Sequence, residues 1–104
     1  MRNEDMEITE EQISGGIKLT VKGYVNSGTS EKLENWLKKA MHDGYKNIVV
    51  NMLWVKFLSS AGIRVILKTY QDVSDSGGKL GIEMPSQNVK NVLGMTALDE
   101  MLIK

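Results

Sequence analysis

The chain has no cysteine, one proline and one histidine among its 104 residues. Without cysteine it forms no disulfide and offers no thiolate to a metal. The single histidine, His42, cannot build a multi-histidine metal site. Charge of one sign is missing too, since 13 Lys and Arg balance 13 Asp and Glu. A balanced chain gives no support for a nucleic-acid partner or a polybasic membrane anchor. No apolar run approaches the ~20 residues that a spanning helix needs. The N-terminal Met1-Arg2-Asn3-Glu4-Asp5 is polar and lacks the apolar core of a secretion signal. The expected setting is the cytoplasm, with no membrane insertion, no nucleic acid and no cofactor.

What is present is ordinary for a globular protein: 41% hydrophobic and 25% charged residues. The length suits one domain, residues 1–104. A domain of this size buries roughly 60–70% of the surface its unfolded chain exposes, enough for one core without staples.

Met6-Glu7-Ile8-Thr9 and Ile17-Lys18-Leu19-Thr20-Val21-Lys22 alternate apolar with polar residues. Period-two alternation predicts strands with one buried and one wet face, here an antiparallel hairpin with Gly15-Gly16 in its turn. Leu33, Trp36, Leu37, Ala40 and Met41 recur at helical spacing and predict an amphipathic helix over 30–42, stopped by Asp43-Gly44. Asn47-Ile48-Val49-Val50-Asn51-Met52 is continuously apolar at its centre and reads as a central parallel strand. Ile63, Ile66, Leu67, Tyr70 and Val73 mark a second helix over 60–76, ended by Gly77-Gly78. Lys79 to Met84 is a further strand, Pro85-Ser86 opens a third helix carrying Val89, Val92 and Leu93, and 96–102 reads as a short last helix. The order β-β-α-β-α-β-α-α predicts an α/β fold, a mixed sheet of about four strands with helices mainly on one side.

The segment Phe57-Leu58-Ser59-Ser60-Ala61-Gly62-Ile63 joins an apolar approach to a helix start. On spacing alone, one of the two serines is an N-cap. The same position suits a phosphate, because free N–H groups and the helix dipole favour negative charge there. Ala61 and Gly62 are small and admit close approach by another group. Trp36 is expected in the core, whereas Trp54 fits either packing under its own loop or a partner-facing anchor. Met41, Met52, Met84, Met95 and Met101 fit apolar filling. Arg64 is expected to point outward, as a solvated residue or as a contact to a partner or to phosphate. An enzyme is disfavoured: a serine hydrolase needs a base beside its nucleophile, and His42 lies in another helix.

Phe57-Leu58-Ser59-Ser60-Ala61-Gly62-Ile63-Arg64 resembles the signature of STAS domains, and in particular of bacterial anti-sigma factor antagonists. Leu19 to Asn26, Gly77-Gly78-Lys79-Leu80 and Gly94 to Leu102 resemble further family motifs in the same order, so the likeness covers nearly the whole chain. The resemblance implies a STAS fold and a phosphorylation-switched binding module. It implies Ser60 as phosphoacceptor for a partner anti-sigma factor that is a serine kinase, with a PP2C-type phosphatase reversing the modification. Asn26, Trp54, Phe57, Leu58, Ser59, Ala61, Gly62 and Arg64 would form the partner-binding face. The unphosphorylated form would hold the anti-sigma factor and so release the sigma factor. Asn26, Asn51 and Ser59 stand where the family usually has Asp. These neutral residues leave a second reading open, a STAS module that docks without phosphate in a transporter or signalling complex.

Overall fold

Alternation in the first two strands sets the layers of the molecule. In the computed structural model, which describes residues 6–95, β1 (Met6–Ile13) and β2 (Gly16–Val25) form the expected antiparallel hairpin. Gly15, at φ +81°, supplies the left-handed residue of its turn. Met6, Ile8, Ile17, Leu19 and Val21 face inward, and Glu7, Glu11, Lys18 and Lys22 face outward. β1 runs further than Thr9, because Glu10 to Ile13 continue the pairing.

The chain then forms α1 (Ser30–His42), β3 (Asn47–Leu58), α2 (Ser60–Asp75), β4 (Lys79–Glu83) and α3 (Gln87–Met95). The sheet order is β1-β2-β3-β4, with β3 parallel to both β2 and β4. The expected helix over 96–102 lies outside the described residues. One face of the sheet carries the helices. Leu33, Leu37 and Ala40 of α1, Ile66 and Val73 of α2, and Val89 and Leu93 of α3 join the strand residues in one apolar core. Trp36 is only half-buried at the edge of that core. Among the described residues, no helix covers the other face of the sheet, which is mostly polar. There Lys18 reaches Glu83 at 3.0 Å across the intervening β3.

β3 is the main departure from the sequence reading. The segment 53–58, expected as an apolar loop, continues the strand as far as Leu58. Two bulges let it do so: register slips between Thr20 and Lys22 and again between Gly23 and Tyr24, each time by one extra β3 residue. The inward residues therefore become Met52, Val55 and Leu58, three apart, while Leu53, Trp54, Lys56 and Phe57 are exposed. Asn51 Oδ1 accepts the Leu53 N–H at 3.0 Å and braces the first bulge. Segments near the start of α3 use carbonyls that the bulged strand presents: Ser86 N–H donates to Met52 O, and Asn88 Nδ2 to Lys56 O.

Candidate functional site

Because β2 and β3 are parallel, their C-terminal ends lie on one edge of the sheet. The loops into α1 and α2 are therefore neighbours. Ser59 N–H donates to Val25 O at 2.8 Å and ties the two together. Ser59 is extended, at φ −84° and ψ 171°, and its Oγ accepts the Gly62 N–H at 3.2 Å. Its carbonyl accepts Ile63 N–H at 2.9 Å. Ser59 is thus the N-cap of α2, and its hydroxyl is engaged in the fold.

Ser60 is the first residue of the helix and is exposed. Among the described residues its hydroxyl and its N–H have no hydrogen-bond partner, and neither does the Ala61 N–H. The first turn of α2 contains no acidic residue. A hydroxyl in this position is open to an incoming electrophile, and a negative group there meets unpaired donors at the positive end of a 16-residue helix. Arg64, one turn on, is exposed and makes no ion pair among the described residues.

Two of the residues expected on the binding face are turned away from it. Leu58 is 4% exposed and Gly62 is buried. A Cβ at position 62 would lie 2.6 Å from Val25 Cγ1 and 2.8 Å from Leu58 Cδ1. The missing side chain therefore admits the protein's own core rather than a partner. Leu58 and Gly62 position the segment, and Ser60, Ala61 and Arg64 present it. Asn26 is partly buried, and its Oδ1 accepts the N–H groups of Gly28 and Thr29 at 2.8 and 3.0 Å. Thr29 Oγ1 donates to Tyr24 O at 2.7 Å. Asn26 thus shapes the loop that flanks Ser60. The three neutral residues Asn26, Asn51 and Ser59 share one use: each lends a side-chain oxygen to a backbone amide.

Trp54 and Phe57 are 60% and 48% exposed, so Trp54 does not pack beneath its own segment. Both lie on the open face of the sheet, in register with Lys22 and Tyr24. Tyr24, 44% exposed, is a member of this surface that the sequence reading omitted. The signal was present in the alternation of Val21, Lys22, Gly23, Tyr24 and Val25, which sends Tyr24 outward. His42 closes α1, whose 13 residues carry it about 20 Å from the edge that holds Ser60.

Residues 7–104 match the STAS domain family model. The chain belongs to the STAS domain family. By sequence, this STAS domain is 31% identical over 75 residues, 72% of the chain, to BtrV of Bordetella bronchiseptica, which carries the name of an anti-sigma factor antagonist. The match spans 65% of that relative's length. By fold, it is similar to an anti-sigma factor antagonist from Mycobacterium paratuberculosis, at TM-score 0.85 and 20% identity over 97% of this chain and 86% of that one. It is also similar to SpoIIAA, the Bacillus cell fate determinant. Unphosphorylated SpoIIAA gives TM-score 0.81 at 17% identity over 93% of this chain and 86% of that one. The phosphorylated form gives TM-score 0.75 at 16% identity over 93% and 89%. These structures bear out the mixed four-stranded sheet with helices on one side. Among the described residues, no helix is long and apolar enough to cross a membrane.

Proposed function

We propose that this STAS domain is an anti-sigma factor antagonist switched by phosphorylation of Ser60. The observation that carries the reading is the free, exposed Ser60 hydroxyl at the start of α2, in a chain whose relatives are named as antagonists. In the unmodified state Ser60, Ala61, Arg64 and the neighbouring loop dock on an anti-sigma factor, which then lets go of its sigma factor. That partner is also a serine kinase: Ser60 Oγ attacks the γ-phosphorus of ATP, ADP leaves, and the hydroxyl proton passes to a base of the kinase. The product carries about −1.5 to −2 charges at the docking surface. A charge left unpaired in an interface costs about 2–5 kcal/mol, so affinity falls about 30-fold or more. A PP2C-type phosphatase hydrolyses the ester and restores the binding form. The working compartment is the cytoplasm.

The test is incubation with the cognate kinase and ATP, followed by mass spectrometry and calorimetry. Phosphate is expected on Ser60, tight binding for Ser60→Ala and weak binding for Ser60→Asp. An active kinase that leaves Ser60 unmodified refutes the switch. A second reading, docking without phosphate in a transporter or signalling complex, draws on the neutral Asn26, Asn51 and Ser59. It requires equal partner affinity for Ser60→Ala and Ser60→Asp.

A further inference from the structure

Exposure along α2 follows one stripe. Ser60, Arg64, Lys68, Gln71 and Asp75 are exposed at helical spacing, while Ile66, Thr69 and Val73 turn inward. Ser60 and Arg64 therefore sit one turn apart on the same outer face. On a helix, β-carbons four residues apart lie ~5–6 Å from each other. Long helical side chains also lean toward the N-terminus, which directs Arg64 back over the turn that Ser60 begins.

Among the described residues nothing competes for that arginine. The next cation on the stripe, Lys68, is already paired with Asp72 at 3.0 Å. α1 packs beside α2 and carries Glu31 and Glu34; Glu34 pairs with Lys38, and neither pairs with Arg64. The first turn of α2 has no acidic residue, and the side-chain oxygens of Asn26 and Ser59 are engaged with backbone amides. The unmodified chain thus carries an unpaired guanidinium one turn from an unpaired hydroxyl.

We infer that a phosphate on Ser60 is held by Arg64 of the same helix. The inference rests on Ser60 as the phosphoacceptor and adds how the modified state is built. A planar guanidinium offers parallel N–H donors to two phosphate oxygens, a fit that a lysine lacks. An anion four residues before a cation is the favourable order for such a pair on a helix, because it also agrees with the dipole.

One modification then changes the docking face twice. Before transfer, the start of α2 shows a partner one positive group, Arg64. Afterwards it carries about −1.5 to −2 charges on the phosphate, and the guanidinium is turned to its own chain. The pair is not neutral: local charge runs from about +1 to between about −0.5 and −1. Discrimination against the phosphorylated form comes from a contact withdrawn as well as from a charge added.

Phosphoserine incorporated at position 60 by codon reassignment tests this without a kinase. A failure here is therefore distinct from a kinase that leaves Ser60 unmodified. Phosphorus NMR of the full chain should show the phosphate titrating below its usual ~6, with Arg64→Gln raising the midpoint by about 0.3–0.7 pH unit. Lys68→Gln removes an exposed cation one turn further on, already engaged with Asp72, and should leave the midpoint in place. Equal midpoints for the parent and Arg64→Gln overturn the inference. So does an equal rise with Lys68→Gln, which marks a general field and no specific pair. In calorimetry with the anti-sigma partner, Arg64→Gln should weaken the unmodified chain about fivefold or more and leave the phosphorylated chain unchanged. A ratio of the two affinities that matches the parent's overturns it as well.

Discussion

Gly62→Ala and Gly94→Ala are expected to change stability in opposite directions, although both put alanine for glycine in a helix. At position 62 the new methyl would lie 2.6 Å from Val25 Cγ1 and 2.8 Å from Leu58 Cδ1, where carbon contacts normally fall at ~3.5–4.0 Å. Leu58 can turn its flexible end aside. Val25 cannot: it is β-branched, fully buried, and its carbonyl holds Ser59. The first turn of α2 must therefore back away from the sheet. Overpacking of this kind costs ~1–3 kcal/mol, while helix propensity regains up to ~1 kcal/mol. The net expectation is a loss of about 1–2 kcal/mol. At Gly94, in α3, nothing among the described residues lies within 4 Å of the added methyl, so the expectation there is the propensity gain of up to ~1 kcal/mol. Urea denaturation with a common m-value reads both changes, and each kcal/mol moves the melting temperature by about 4–8 °C in a domain near this size. A Gly62→Ala protein as stable as the parent would refute the close abutment of α2 on Val25.

Ser59→Ala removes the cap on Gly62 N–H and should cost ~1 kcal/mol in a thermal melt, whereas Ser59→Asp should keep the cap and most of the stability; equal losses for the two would argue against capping. The lysine on the open face gives a test in pH. The pKa of Lys18 is raised above its usual 10.5, first by the hydrogen bond to Glu83, then by the charges of Glu83 and Glu11, with burial opposing. A raised lysine contributes its stability in full below 10.5 and loses it as pH climbs through the folded value. The stability difference between the parent and Glu83→Gln should therefore be constant near neutrality and shrink above pH 10.5; a difference that persists at high pH refutes the pairing.

The fold order was readable because most elements follow one simple period. β2 alternates and α1 keeps its apolar stripe; the bounds of α1 match the expected 30–42, while β2 runs three residues past Lys22 to Val25. The end of β3 was not readable, because bulges replace the period of two with a spacing of three, which matches neither a strand nor a loop. Asn51 braces the first bulge locally through Leu53 N–H, but the carbonyls of Met52 and Lys56 are taken by Ser86 and Asn88, which are distant in sequence. At the site, spacing alone could not separate Ser59 from Ser60. Geometry separates them: one hydroxyl is bound to Gly62 N–H, and the other has no partner among the described residues. The direction of Gly62 also depended on tertiary structure, since only the folded chain brings Val25 against it.

The three-residue stride of β3 has a consequence for divergence. Met52, Val55 and Leu58 are committed to the core, but Leu53, Trp54, Lys56 and Phe57 project from it on the same short stretch. Duplicated copies of such a domain can rewrite those four positions and keep one shared scaffold. Each copy then gains its own set of contacts beside an unchanged α2 start. Insulation between parallel signalling systems in one cell would thus need only a few surface substitutions and no new fold.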